Sequence, residues 1–372
     1  MDFAFDESET SVRDLARKLC EAEVTVERLK QIERGPDRFD AALWKELAAS
    51  SLLGVGLPED VGGGGLGFKA ICLLLEELGR AVAYVPALPT LVLGALPIAR
   101  FGTPAQRQQF LPKVISGELI LSAALAEAGS DDPARPSTRA HRDGAGWRLD
   151  GVKECVPAGL LAPYVLVPAS TGDGTVGVFI LDRHAPGVSW EAQRETSGDI
   201  VGRLTLKSAL VKDDLILGDV AGGASIVRWI VDRALVGLSA VEVGLCERAV
   251  RMTADYATQR QQFDRPIATF QAVAQRVADA YIDTESIRLA LWHAAFRIDQ
   301  GQEVSREAAI AKFWASEGSH RVVSAAQHVH GGAGFDRDYP LHRYYLWSKQ
   351  IEFTLGGASA QLARLGAMIR EG

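Results

Sequence analysis

The sequence predicts a mostly helical α+β protein in which helices come first, strands second and helices again last. Three observations carry that prediction. Apolar residues recur at spacings of three and four towards both ends of the chain, as a buried helix face requires. From about 119 to 218 the texture changes to short β-branched runs separated by turn residues. With 372 residues, 47% hydrophobic and 23% charged, the chain is long enough for two or three domains that each bury a core. The expected division is a helical domain over 1–118, a small antiparallel sheet domain over 119–218 and a helical bundle over 219–372.

In the first domain Ile71, Leu74, Leu75 and Leu78 share one helix face, and Gly79 offers a left-handed stop. The preceding run from Gly54 to Gly65 is too glycine-rich for regular structure; it lacks the Gly-Lys-Ser/Thr chemistry of a phosphate loop and reads as a tight connection between helices. In the second domain Trp147, Leu149 and Gly151 alternate into an Asp-Gly turn, and Tyr164–Val167, Val176–Ile180 and Leu204–Leu206 read as strands. In the third, Leu238, Val241, Leu245, Ala249, Met252 and Tyr256 form one stripe and Phe270, Val273, Val277 and Tyr281 the next. A break at 301–303 precedes a further stripe of Ala308, Ala311 and Ala315.

Charge and composition exclude several classes. The balance of 40 basic against 47 acidic residues, a net −7, argues against a nucleic-acid partner. The acidic start from Met1 to Glu7 lacks a signal peptide's basic start and apolar core, and no apolar run approaches the ~18 residues of a membrane span. Cys20, Cys72, Cys155 and Cys246 stand far apart, as reduced thiols of a cytoplasmic protein would. His328 and His330 have no third ligand at helical spacing, so no metal is expected.

Two segments carry candidate binding chemistry. Arg260 ends a long amphipathic helix, and Phe263 and Pro266 mark an ordered turn after it, so the guanidinium projects from a fixed backbone towards a diphosphate. In His330-Gly331-Gly332-Ala333-Gly334 the adjacent glycines let backbone N–H groups approach phosphate oxygens. Taken singly, a surface arginine and a plain helix stop would be the ordinary readings.

The wider wording changes this. Tyr256-Ala-Thr-Gln-Arg260-Gln-Gln-Phe263-Asp-Arg-Pro266-Ile-Ala-Thr-Phe270-Gln271, the His330–Gly334 run followed by Tyr339-Pro340 and Arg343, and Pro58-Glu59-Asp-Val-Gly62-Gly63 with Leu75-Glu76-Glu77-Leu78-Gly79-Arg80 resemble signatures of the acyl-CoA dehydrogenase family. The resemblance implies that family's fold, with a C-terminal four-helix bundle, and FAD as cofactor. It further implies that Arg260, Phe263, Gln271, His328 (where glutamine is usual), Gly331 and Gly332 hold the adenosine-diphosphate half of a flavin seated in the neighbouring subunit.

The middle domain departs from the pattern. The family's Thr-Glu-Pro-x-Ala-Gly-Ser-Asp becomes a run ending Ala126-Glu-Ala-Gly129-Ser130-Asp131, with Ala124 or Ala126 in place of the threonine that faces the ring. Where an aromatic and a hydroxyl donor are usual stand Cys155 and Pro157. The glutamate that acts as base is replaced by Leu355, or by Gly356 with a one-residue gap, and the family's second position for it falls on Ala234. Ser130 and Asp232 match places near the pantetheine of the acyl-CoA substrate. The resemblance is to the glutamate-lacking subunit of actinobacterial heteromeric steroid side-chain acyl-CoA dehydrogenases. It implies an α2β2 assembly in which a catalytic partner supplies the base and an electron-transfer flavoprotein takes the electrons. The alternatives are a self-sufficient homo-oligomer using Glu352 or Glu242 as a displaced base, and a binding or scaffold protein without flavin.

Overall fold

The structure, a computed structural model, describes residues 5–144, 146–172 and 174–371; the acidic start at Met1 to Ala4 lies outside them. The elements follow the expected order. Helices α1 (Glu7–Glu23), α2 (Val26–Arg34), α3 (Ala41–Ala49), α4 (Gly67–Ala81), α5 (Leu96–Phe101) and α6 (Pro104–Ile115) come first. Strands β1 (Leu121–Ala123), β2 (Arg139–Asp143), β3 (Gly146–Val156), β4 (Tyr164–Gly172), β5 (Thr175–Asp182), β6 (Val188–Arg194) and β7 (Ile200–Lys212) follow. The chain ends in α7 (Gly223–Gln259), α8 (Gln271–Asp299), α9 (Ser305–His330), α10 (Leu341–Phe353) and α11 (Ala358–Glu371). Local chemistry starts several of these: Asp6 and Glu9 close a capping box on α1, and Thr103 and Gln106 close one on α6 beside Pro104.

By contacts the chain forms two compact units. A sheet-bearing unit comprises Gln31–Gly67 and Tyr84–Ala234, and a helical unit comprises the residues up to Lys30, Phe68–Ala83 and everything from Leu235 on.

In the sheet-bearing unit the seven strands run in the order β1-β4-β2-β3-β7-β6, with β5 on β4. The sheet is mixed where the sequence predicts an antiparallel one, because β4 pairs parallel with β1 at Leu121–Tyr164 and with β2 at Arg139–Ser170. Turn residues report only pairings between neighbours in sequence, so partners this distant leave no local signal. Asp150-Gly151 is likewise no turn: β3 runs through it with a bulge, and the Asp150 carboxylate accepts the Ser208 N–H at 2.7 Å. Leu149, Val165, Val167, Phe179, Leu181, Leu204 and Leu206 form the centre of the core. The glycine-rich loop folds on itself: the N–H groups of Gly63, Gly64, Gly65 and Leu66 donate to Pro58, Gly54, Leu57 and Val55 carbonyls, leaving none of the four for a phosphate.

In the helical unit α9 packs against α8, α10 and α11. Helices α4 and α7 cross at two glycines: a Cβ on Gly79 would stand 2.2 Å from the Val241 carbonyl oxygen, and one on Gly244 1.9 Å from that of Glu76. Gly79 is therefore a contact glycine inside α4 and not its stop; the left-handed residue is Val82, one past the helix end. Around this crossing Glu77, fully buried, is gripped by Arg17 through two hydrogen bonds of 3.0 and 2.7 Å, and Arg288 joins Glu76 to Glu247. The stripe predicted from Phe270 to Tyr281 is not the buried face of α8, since Tyr281 is 58% exposed and Ala280, Thr284, Ile287 and Leu291 face the core. Periodicity identifies an apolar face and cannot say whether the same chain covers it.

Candidate functional site

Three helix ends of the helical unit meet at the candidate site. The Tyr256 ring, one turn before the end of α7, stacks on His330 at the end of α9 with ring centroids 4.4 Å apart. Arg276 on α8 donates to His328 Nδ1 at 3.1 Å. The motifs that stand some seventy residues apart in sequence thereby share one surface.

After α7 the chain turns back through a two-residue ladder, Gln261–Gln262 against Arg265–Pro266. Phe263 and Asp264 form its tip with φ of 52° and 59°, the left-handed pair a type I′ turn requires. That geometry throws Phe263 outward, 87% exposed, with Phe270 edge-on at 6.2 Å. Arg260 is exposed, its backbone fixed by hydrogen bonds to Tyr256 and Ile267, and its guanidinium makes no hydrogen bond or ion pair among the described residues. Gln271 opens α8, exposed.

On the α9 side, Gly331 closes the helix with φ 57° and ψ −132°, a conformation that side-chain-bearing residues rarely adopt. Neither Gly331 nor Gly332 has an atom within 4 Å of where its Cβ would be, so nothing in this chain's own packing demands a bare backbone at Gly332. His330 is buried: Nδ1 bonds the Ala326 carbonyl at 2.8 Å, Nε2 meets the Tyr339 hydroxyl at 3.0 Å, and burial lowers its pKa. With both ring nitrogens committed, His330 is no metal ligand, and no cluster of metal-binding side chains exists among the described residues. His328 points the other way and is exposed. Because a guanidinium only donates, His328 Nδ1 is the acceptor and Nε2–H faces outward, a donor as a glutamine amide would be.

The remaining candidates lie elsewhere. In the sheet-bearing unit Ser130 sits partly exposed on the turn after β1, Asp232 is buried in α7, and Ala234 is buried beside it. Cys155 sits exposed at a bulge in β3 with φ 49°, its N–H donating to the Gln193 side chain at 2.9 Å. In the helical unit Leu355 and Gly356 form the turn between α10 and α11, with φ of 57° and 90°.

Neither displaced base is presented to a ligand. Glu352 meets Lys349 at 2.6 Å and His320 at 3.5 Å. Glu242 is fully buried, with the Cys246 thiol 3.6 Å from Oε1. Burial pushes its carboxyl up to about 7, although the neighbouring Ser348 hydroxyl and the charge of Lys312 pull it down. A pKa raised above the unfolded value contributes stability that is complete below about 4.3 and lost as pH rises through the folded pKa. We therefore expect Glu242→Gln, which cannot ionise, to gain stability relative to the parent between pH 5 and 7.5, by about 1–3 kcal/mol. Urea unfolding at both pH values measures it; a gap independent of pH would refute the assignment.

Sequence reasoning missed two groups. Arg276 had no motif to flag it. Lys312 carried a signal, for a lysine four residues after Ala308 falls on the buried alanine stripe of α9.

Residues 6–118 match the model for the acyl-CoA dehydrogenase N-terminal domain and residues 221–369 that for the acyl-CoA dehydrogenase C-terminal domain. Acyl-CoA dehydrogenase FadE27 of Mycobacterium tuberculosis is 38% identical over 100% of this chain and 99% of its own length. The chain belongs to the acyl-CoA dehydrogenase family. The acyl-CoA dehydrogenase fold recurs in two solved relatives. One is the ChsE4-ChsE5 complex from Mycobacterium tuberculosis, with TM-score 0.94, 38% identity and 100% of both chains covered. The other is the Tcur3481-Tcur3483 steroid ACAD G363A variant, with TM-score 0.93, 47% identity and 98% of both chains covered. The family implies FAD. The residues gathered at the three helix ends fit its diphosphate half: two glycines leave open space where Cβ atoms would stand, and Arg260 and Gln271 offer outward donors. No helix among the described residues is long and apolar enough to cross a membrane.

Proposed function

We propose that this chain is the partner subunit of a heteromeric, FAD-dependent acyl-CoA dehydrogenase, acting in the cytoplasm as an α2β2 assembly on a bulky acyl-CoA, with a steroid side-chain thioester as the substrate class. One observation carries the reading. The diphosphate-binding groups Arg260, Phe263, Gln271, Gly331 and Gly332 all face away from the chain's own packing, while the places for ring and base hold Cys155, Pro157 and Leu355. Groups that serve a neighbour's cofactor are kept and groups that serve the chain's own are lost. The two solved relatives, one a complex and the other a steroid ACAD, support the same reading.

In this assembly the bound flavin supplies the hydride acceptor for α,β-desaturation. Arg260 would neutralise one diphosphate charge, the N–H groups around Gly331 and Gly332 would donate to its oxygens, His328 would donate through Nε2, and Phe263 would shield the nucleotide from solvent. The partner contributes the glutamate and the acyl cleft, and an electron-transfer flavoprotein drains the electrons. Ser130 and Asp232 are remnants of a pantetheine path. Sealed Glu242 and ion-paired Glu352 give the homo-oligomeric alternative no ready base.

The test is co-production with an acyl-CoA dehydrogenase that carries the glutamate, followed by flavin counting. Arg260→Ala should lower flavin affinity about ten- to a hundredfold, the worth of one charge-assisted hydrogen bond. Unchanged flavin content, or a lone chain that binds stoichiometric flavin and reduces dye with an acyl-CoA, would sink the proposal.

A further inference from the structure

Lys312 is completely buried, yet no carboxylate lies within hydrogen-bonding distance of its ammonium. Nζ donates instead to the Ser316 hydroxyl at 2.8 Å, the Glu352 carbonyl at 3.0 Å and the Gly356 carbonyl at 3.2 Å, so all three N–H bonds are spent. The two carbonyls bracket the α10–α11 turn. Glu352 offers one of the last carbonyls of α10, which that helix cannot satisfy, and Gly356 lies just past the left-handed Leu355. From the other side the buried Gln361 amide donates to the Leu355 and Gly356 carbonyls at 3.0 and 3.1 Å. The end of α10 and the four-residue turn after it thus have three carbonyls, those of Glu352, Leu355 and Gly356, held by buried side chains from α9 and α11.

Such an anchor has a cost that ordinary helix capping does not. Burying an ammonium is unfavourable, and the Glu242 carboxylate on α7, with Glu352 behind it, offsets that cost through space. A glycine C-cap would end α10 without either charge. What the costlier arrangement adds is a fixed direction for the Leu355 side chain, held at a φ of 57° that a leucine avoids when free.

We infer that Lys312 is a positioning residue whose buried ammonium pins the α10–α11 turn and presents Leu355 as a fixed apolar wall. The significance of that wall rests on the proposed function, in which the turn stands where the family carries its base; the anchor itself does not. The base was lost and its mounting kept, so the turn still shapes the surface it faces.

The Thr354 N–H bonded to Gln350 and the Gly356 N–H bonded to Phe353 report directly on the turn. Hydrogen exchange is measured on the full chain, in whatever assembly it is purified, for the parent, for Lys312→Met and for the double variant Glu242→Gln with Lys312→Met. Because the double variant leaves no unpaired buried charge, its unfolding midpoint should return towards the parent's while the two turn amides exchange about ten- to a hundredfold faster, as loss of a charged hydrogen bond requires. Amides of α8 should keep the parent's rates. Unchanged turn amides in the double variant, acceleration spread equally through α8, or a double variant that does not fold would each overturn the assignment. Flavin content in the Arg260 variant tests the subunit role separately and leaves these rates untouched.

Discussion

Gly244→Ala is expected to leave the helical unit unfolded or severely weakened, because one methyl group cannot be placed there. Its Cβ would lie 1.9 Å from the Glu76 carbonyl oxygen and 2.6 Å from the Arg80 nitrogen, both backbone atoms of a helix that cannot rotate aside. Contact needs well over 3 Å, so α4 and α7 would have to separate by more than an ångström. Separation pulls Arg80 from Glu247 and breaks the Arg288 bridge between Glu76 and Glu247, and it opens the core that both helices close. Overpacking alone costs about 1–3 kcal/mol, and exposing buried ion pairs adds to it, so the sum should exceed about 3 kcal/mol. The control is Gly366→Ala in α11, where an added Cβ meets nothing within 4 Å. There the better helix former should stabilise by up to about 1 kcal/mol. Urea unfolding followed by circular dichroism reads both; a mild Gly244→Ala phenotype would mean that the helices do not touch at that point.

Lys153→Met should be the most damaging change in the sheet-bearing unit. Lys153 is fully buried and meets Glu127 at 2.6 Å, and the same carboxylate accepts from the Thr138 N–H at 3.0 Å and the Thr138 hydroxyl at 2.6 Å. Burial by itself would raise the Glu127 pKa; the Lys153 ammonium and the Thr138 donors outweigh it and hold the group at about 2. Removing the lysine strands a buried anion, at a cost of about 3–5 kcal/mol. The sign with pH follows. A depressed carboxyl pKa contributes stability above about 4.3 that is lost as pH falls towards 2. The variant loses that contribution and can relieve its stranded charge by taking up a proton, so the gap between parent and variant should narrow from pH 7 to pH 3. Adding Glu127→Gln should restore most of the loss at pH 7. A gap that widens in acid would place the effect in packing and not in the pair.

Much of the fold was legible because helices and strands here follow their local periods. Leu238 to Tyr256 and Ala308 to Ala315 formed the predicted stripes, and the strand runs at Tyr164, Val176 and Leu204 lie in β4, β5 and β7. What escaped depends on partners distant in sequence. Parallel pairing of β1 with β4 leaves no turn to read, Gly79 looked like a helix end until α7 was seen against it, and the Phe270–Tyr281 face looked like core. The same holds at the candidate site. Arg260, Phe263 and the glycine pair were visible as wording, whereas the stack of Tyr256 on His330 and the role of Lys312 required knowing which helices meet.

The hairpin tip that carries Phe263 is costly to a chain standing alone. Two side-chain-bearing residues occupy a type I′ turn that Asn-Gly fills with less strain, and the larger is almost wholly in water. Judged by stability alone, position 263 would be better filled by glycine or asparagine. Nothing in the packing of the isolated fold calls for a large apolar side chain there. On the proposed function that cost belongs to the assembled cofactor site and not to the single chain.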